Sequence, residues 1–231
     1  MDKWVLDGVS NPGWTFTEDR VIHLDIFTKW FDKFDDDEIL TYRRIQEQIT
    51  LEDCNIDGSK IRMFFPFLKD LGFINDYSEP FRKKDLLTID GDLFFHYIVP
   101  MYLKREELEQ TLISKINKLF SYFLFSGLLN ITSNARKPIY KTLITILLEV
   151  NEIDTNEFFI ITDSLGKNKD KQYILEKIAE YRAKNAYIAI EVNKNRNSYG
   201  YIVPFFEQAG VICKSRSKIK LNQSIVNFLE D

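Results

Sequence analysis

The chain has 231 residues, 45% of them hydrophobic and 29% charged, a balance that excludes a wholly disordered chain and leaves room for one large domain or two small ones. No apolar run reaches the ~20 residues that cross a bilayer, since the longest, 119–129 and 139–148, are short and interrupted by polar residues. Met1-Asp2-Lys3-Trp4 lacks the basic-then-apolar order of a secretory leader, and two cysteines, Cys54 and Cys213, are too few for a disulfide framework or a Cys-rich zinc site. A cytoplasmic protein with no membrane partner is the expectation.

The formal charge of −4 hides a polarity. Residues 1–58 carry fourteen acids against six bases, a net of −8, whereas residues 177–220 carry nine bases against three acids, a net of +6. A basic stretch on a mildly acidic protein attracts phosphate through its local field, although a charged stretch more often only solvates a surface.

Taken in chain order, Ser10-Asn11-Pro12-Gly13 is a turn signal, and helical spacing starts at Thr17 with Ile22, Ile26 and Trp30. Asp35-Asp36-Asp37-Glu38 is expected at a helix N-terminus, where the dipole favours acids; a calcium loop is less well matched, because the loop glycine and bidentate acid are missing. Ile39, Tyr42, Ile45 and Ile49 mark one helix. A second, 60–71, is capped by Asp57 or Ser59 and ended by Gly72, with Pro66 predicting a kink or a later start. Phe73-Ile74, a basic loop through Arg82-Lys83-Lys84 and a strand at 85–89 closed by Asp90-Gly91 complete the order of a winged helix.

An amphipathic helix over 106–129 is expected to pack between two units. The second unit repeats the grammar. Leu143 to Val150 mark a helix, and Asp154 or Thr155 caps the next, 157–165, with Thr155 and Phe158 at capping-box spacing but no acid at the third place. Helices at 170–185 and 199–208 follow. Val211-Ile212-Cys213, a basic hairpin and Ile219-Lys220-Leu221 then close a second wing. Leu71-Gly72-Phe73-Ile74 and Ala209-Gly210-Val211-Ile212 suggest a structural repeat. The fold expected is thus α+β, predominantly helical, with tandem winged-helix units joined by a long helix: 1–104, a linking helix and loop over 105–137, and 138–231.

No catalytic constellation is legible. A (Glu/Asp)-x-Lys tripeptide occurs nowhere, and Glu191-Val192-Asn193-Lys194 would put its acid and lysine on opposite faces of a strand. His23 and His96 stand in apolar contexts where a structural histidine is commoner than a ligand. Phosphate-cradling loops, zinc-protease motifs and nucleophile elbows are absent from the sequence. Cys213 precedes Lys214 and Arg216, which would lower a thiol pKa, yet a small buried strand residue is the better reading.

What the sequence does carry suits duplex DNA, bound through phosphates and read through base edges. In the first unit the reading helix would present Lys60 and Arg62, with Arg62 suited to the two acceptors of guanine, and the wing would present Arg82, Lys83 and Lys84. In the second, Lys169 and Lys171 open a charged helix, Lys194, Arg196 and Asn197 form a mixed tip, and Lys214, Arg216 and Lys218 alternate so that, with Lys220, four charges would share one strand face. An edge strand guarded by lysines would look similar.

Two stretches resemble the recognition region of type IIS restriction endonucleases of the AlwI kind and their nicking relatives. One runs from Lys60-Ile61-Arg62 through Leu71-Gly72-Phe73-Ile74 to Leu87-Thr88-Ile89-Asp90-Gly91. The other runs from Arg136-Lys137-Pro138-Ile139-Tyr140 through Ile153-Asp154-Thr155-Asn156-Glu157 and Tyr181-Arg182 to residues 201–228. The resemblance implies a tandem winged-helix module that recognises a short duplex site, with cleavage by a Mg²⁺-dependent nuclease domain or partner subunit lying beyond Asp231. On this reading the chain itself holds no cofactor and no nuclease site, and its part is DNA recognition in restriction-modification and phage defence. The alternative from another class is a tandem winged-helix, protein-binding subunit of a chromosome-structuring or phage-defence complex. The +6 stretch over 177–220 discriminates, because a wing that binds only protein does not need it.

Overall fold

Helix-period apolar spacing and capping residues decide most of the chain, which is α+β and mostly helical. The computed structural model describes residues 2–10, 13–51, 56–76, 78–184 and 187–225. They divide into a first unit, Gly13–Ile131, and a second in which the N-terminal residues join those from Thr132 onward. The expected divisions at 104 and 137 are not those the packing makes. Strand β1 (Asp2–Leu6) belongs with the C-terminal part, and the long helix belongs with the first unit.

In the first unit, Thr17 in extended conformation precedes α1 (Glu18–Phe31), whose first turn carries Glu18 and Asp19 where the helix dipole favours acids. The Asp35–Glu38 run does not start a helix. It lies in the turns before β2 (Ile39–Leu40), and α2 (Tyr42–Leu51) follows. Its acids are held by cations distant in sequence, Asp36 by Lys83 at 3.2 Å and Asp37 by Lys84 at 2.6 Å. Helix α3 (Gly58–Asp70) is capped by the Asp57 carboxylate, which accepts the Ser59 N–H at 2.8 Å. It runs through Pro66 instead of starting there. The proline is on the exposed face, so the carbonyl of Arg62 that loses its partner does so on the solvent side.

Gly72, at φ +78, ends α3, and the Phe73 N–H reaches back to the Leu68 carbonyl at 2.9 Å. Strand β3 (Phe81–Arg82) then pairs antiparallel with β2. The strand expected over 85–89 shrinks to a single bridge between Ile74 and Leu87. Thr88 caps a helix instead, its Oγ1 accepting the Gly91 N–H at 2.9 Å. That helix comprises α4 (Ile89–Leu93), a π-helical turn Phe94–Ile98 and α5 (Val99–Leu103). Gly91 is needed for close approach and not for a turn, since a Cβ there would lie 1.9 Å from the Phe73 carbonyl oxygen.

Helix α6 (Gln110–Thr132) buries Phe120, Leu124, Leu128 and Ile131, but none of its residues before Phe120 is buried. The core gathers on Phe16, whose ring lies 5.5 Å from Trp14, 5.9 Å from Phe94 and 6.1 Å from Phe120, each edge to face.

In the second unit α7 (Pro138–Val150) opens on a proline and leads into β4 (Glu152–Asp154). A full capping box starts α8 (Thr155–Gly166). Asp154 accepts the Glu157 N–H at 2.9 Å and Glu157 accepts the Asp154 N–H at 2.8 Å. The box therefore sits one residue earlier than expected, with Glu157 as its acid. Then come α9 (Lys171–Lys184) and β5 (Ile188–Val192), which pairs in parallel with β1. Helix α10 (Ser198–Gln208) ends at Gly210, φ +73, and β6 (Ile212–Ser215) and β7 (Lys218–Leu221) complete a three-stranded antiparallel sheet of order β4-β7-β6.

The repeat suggested by the two glycines is longer than the sequence pattern implied. Phe64-Phe65-Pro66-Phe67-Leu68 before Gly72 corresponds to Ile202-Val203-Pro204-Phe205-Phe206 before Gly210, and all but the prolines are buried. In each unit a proline-bearing helix precedes the left-handed glycine and antiparallel pairing, although α8, α9 and β5 separate β4 from α10 in the second unit whereas only α2 separates β2 from α3 in the first. The glycines are not equivalent sterically. A Cβ on Gly210 has nothing within 4 Å, whereas one on Gly72 meets the Asn130 side chain at 2.6 Å. Gly210→Ala should therefore cost about 1–2 kcal/mol, the left-handed backbone penalty alone, and Gly72→Ala should cost more. Denaturant unfolding of both variants checks the order, and equal losses would remove the steric difference.

Candidate nucleic-acid interface

Burial of one face of α3 dictates what the other shows. Ile61, Phe64, Phe65, Phe67 and Leu68 face inward, so Lys60, Arg62, Met63, Pro66 and Lys69 are exposed. Lys60 and Arg62 make no ion pair with a described residue. Hydrogen bonding from Ser59 and, more weakly, the charges of Lys60 and Arg62 hold the Asp57 carboxyl below its usual range. Asp53 and Cys54 lie outside the described residues.

The basic segment expected to form a wing at 82–84 is not the tip of a hairpin. Arg82 is in β3, and Lys83 and Lys84 fall in the 3₁₀ turn that follows. The loop between Ile74 and β3 carries Asp76 and Glu79, and these are engaged as well: Lys69 bonds Asp76 at 2.5 Å, and Glu79 accepts the Tyr42 N–H at 2.9 Å. Lys83 and Lys84 are paired with Asp36 and Asp37, and Arg82 stands 3.8 Å from Asp37. The Lys84 hydrogen bond and charge hold the Asp37 carboxyl below its ordinary value. The acidic run thus neutralises this segment.

In the second unit Lys169 lies over the Tyr173 ring at 5.1 Å, and Lys171 pairs with Glu149 at 2.6 Å. Five cations of the basic stretch are also held by carboxylates: Lys177 and Lys184 by Glu180, Arg182 by Glu157, Lys214 by Glu207 at 2.9 Å, and Lys218 by Glu152. The expectation that Lys214, Arg216, Lys218 and Lys220 share one face is overturned by the register. Lys214 lies opposite buried Ile219, whereas Lys218 and Lys220 lie opposite Ser215 and Cys213 on the other face. The alternation breaks because residues 216 and 217 are a turn, with Arg216 at φ +56 at its head.

Within 177–220, Lys194, Arg196, Arg216 and Lys220 make no ion pair with a described residue. Arg216 at the hairpin turn and Lys194 before α10 are exposed and have no ion pair among the described residues. Arg196 donates from Nε to the Val192 carbonyl at 2.5 Å, and Asn197 stands exposed at the start of α10 with no side-chain capping bond. The outward stripe continues through Gly200, Tyr201 and Pro204. Those positions were not named from the sequence, although helical spacing from Asn197 would have reached them.

The other titratable cluster is in the first unit. His96 lies beside a cleft of about 550 Å³ with Asp32, Lys83, Lys84, Thr88 and Asp92. Its Nε2 is 3.0 Å from Asp32 and its Nδ1 2.8 Å from Asp92. His23, in contrast, has its pKa lowered by burial and by Lys60. Among the described residues no group of three or more His, Cys, Asp or Glu is arranged to hold a metal ion, and no helix is long and apolar enough to cross a membrane. No family model matches the chain, and neither a curated protein nor a solved structure is similar to it.

Burial lowers the His96 pKa, but hydrogen bonding and charge from Asp32 and charge from Asp92 outweigh it and hold the pKa above the ordinary value. A raised folded-state pKa contributes stability that is complete below the unfolded value near 6.5 and fades as pH rises through the folded one. The stability difference between wild type and His96→Gln should therefore be largest near about pH 5.5 and shrink by about pH 8.5. Urea unfolding at the two pH values checks it, and a difference that grows with pH would reverse the assignment.

Proposed function

We propose that the protein is a sequence-specific, double-stranded DNA-recognition module built from two winged-helix units. The observation that carries this reading is the placement of uncompensated cations. Lys60 and Arg62 open the outward face of α3, Lys194 and Arg196 precede α10, and Arg216 heads the β6–β7 turn. A basic helix start in each unit, with the β6–β7 hairpin in the second, suits a helix in the major groove with a hairpin on the flanking backbone. The paired lysines do not oppose the reading, because an exposed ion pair is worth ~0–1 kcal/mol and is readily exchanged for phosphate. In this proposal the second unit makes the stronger backbone contact, since the first unit's Arg82, Lys83 and Lys84 already face acids. Following the resemblance, the module would serve a restriction system in which a separate Mg²⁺-dependent nuclease domain or subunit cuts.

One observation favours the second reading, a protein-binding subunit. Leu108, Leu112, Leu119 and Tyr122 are all at least 38% exposed, an apolar surface of the kind partners cover. Duplex binding separates the two. Binding to mixed-sequence duplex should weaken with salt, and Lys194→Ala with Arg216→Ala should reduce the log–log slope by about 1.8, near 0.9 per lost phosphate contact. Fluorescence anisotropy across a salt series measures it. No binding at low salt, or an unchanged slope, would favour the protein-binding subunit.

A further inference from the structure

The exposed tip, residues 193–197, is held by the first strand of the chain. The Asn193 N–H donates to the Leu6 carbonyl at 2.8 Å, and the Gly8 N–H donates to the Lys194 carbonyl at 2.8 Å. The Lys194 N–H donates to Asp7 Oδ1 at 3.1 Å, and Asn195 Nδ2 donates to the Gly8 carbonyl at 3.0 Å. Asn195 itself is in the left-handed region at φ +53, a conformation that a free loop would not favour. Gly8 fits against it with no space to spare: a Cβ on Gly8 would lie 2.2 Å from the Asn195 carbonyl oxygen and 2.4 Å from Ser198 Oγ. Ser198, the first residue of α10, is fully buried there.

The clamp is anchored in its turn. The Asp7 N–H donates to Asp163 Oδ1 at 3.2 Å, and Thr162 Oγ1 donates to the Asp7 carbonyl at 3.0 Å. Thr162 and Asp163 lie in the buried part of α8, and Asp163 also accepts from Lys167 at 2.7 Å. A continuous set of hydrogen bonds therefore runs from α8 through residues 6–8 to the tip and the start of α10.

We infer that Leu6, Asp7 and Gly8 are positioning residues for base reading. They set the geometry of Lys194, Arg196 and Asn197 without offering a charge to DNA, and so govern discrimination between sequences more than affinity for duplex. The inference rests on the DNA-recognition reading above. A base contact requires hydrogen-bond geometry held to a fraction of an ångström, whereas attraction to phosphate survives a displaced loop.

The test has a DNA-free arm and a DNA arm. In the free protein, Gly8→Ala forces the Asn195 backbone to move, and Asp7→Ala removes the acceptor of the Lys194 N–H without adding an atom. Both should raise amide hydrogen exchange at Asn193, Lys194 and Ser198 while leaving β6 and β7 protected. In the second arm, wild type selects a motif from random-sequence duplexes, and affinities for motif and scrambled duplex are then compared. Gly8→Ala should lower the motif-to-scrambled ratio about 10- to 100-fold, the scale of one or two lost base contacts. Scrambled binding and its salt slope should stay within about threefold of wild type, since no phosphate contact is removed. Should Gly8→Ala fail to fold, Asp7→Ala carries the same comparison. Unchanged exchange at the tip overturns the clamp whatever DNA does, and so does equal loss of motif and scrambled affinity. If exchange rises but wild type selects no motif, the DNA reading falls, and the clamp's role in specificity falls with it.

Discussion

Burying the underside of the proline-bearing helix is the constraint on which each unit depends. Phe64, Phe65, Phe67 and Leu68 in α3, and Ile202, Val203, Phe205 and Phe206 in α10, are all at most 3% exposed. At ~1.5–3 kcal/mol for each fully buried large apolar side chain, no arrangement of surface charges competes with that preference. Once those faces are inward, helical geometry decides what meets solvent: Arg62, Met63 and Pro66 in one unit, Gly200 and Pro204 in the other. The prolines are tolerated because they stand on the wet side, where the carbonyl each one orphans is hydrated and not stranded in the core. The left-handed glycines then turn the chain into antiparallel pairing, a single Ile74–Leu87 bridge after Gly72 and the β6–β7 hairpin after Gly210.

Charge is distributed on a different principle. The acidic beginning of the chain and its basic later part suggest a dipolar molecule with one face for anions, yet most cations are spent locally. Asp36 and Asp37 quench Lys83 and Lys84, and Glu152, Glu157, Glu180 and Glu207 hold Lys218, Arg182, Lys177 and Lys214. Exposed pairs of this kind add little to stability, but they lower the field that a distant polyanion feels. Long-range attraction is thereby restrained while short-range exchange stays cheap. In the proposed recognition role that combination would limit binding to duplex in general, because strong steering raises binding to every duplex alike.

Much of the helical architecture was legible because helix period, caps and terminal glycines act locally. Asp57, Gly72 and Gly210 do in the structure what their residue types dictate. Three readings failed, two where the deciding contact was distant in sequence and the third at a local turn. The acids 35–38 look like a helix start until Lys83 and Lys84, 47 residues further along the chain, pair with Asp36 and Asp37. Residues 85–89 read as a strand closed by Asp90-Gly91, but Thr88 caps a helix once Gly91 packs against Phe73. The four basic residues from 214 to 220 alternate on paper, yet a turn at 216–217 rotates the later ones to the other face, since one extra step in a period-two pattern inverts every side chain beyond it. The tip at 194–197 was named as a candidate from composition alone, whereas Asp7 and Gly8 carried no signal, because a glycine needed for close approach is indistinguishable in sequence from one needed for a turn.

That last failure has a physical cause. The β1–β5 pairing joins Asp2 with Ile188 and Leu6 with Val192 in parallel, so it is among the least local contacts the chain makes. Loop-closure entropy rises only slowly with the separation of the ends, by ~0.6 kcal/mol per doubling, and does not forbid such a pair. Non-local pairing does, however, tend to form late. The α7–α8 region and the β6–β7 hairpin hold together through contacts within 138–221, and Tyr140 stacks on Phe206 at 5.7 Å without help from β1. The tip at 193–197 has local bonds from Arg196 Nε to the Val192 carbonyl and from the Ser198 N–H to the Asn195 carbonyl, but four further bonds run to residues 6–8. The geometry of the tip therefore depends on contacts between residues 6–8 and residues 193–197, whereas the β6–β7 hairpin that carries Arg216 is closed by contacts local in sequence.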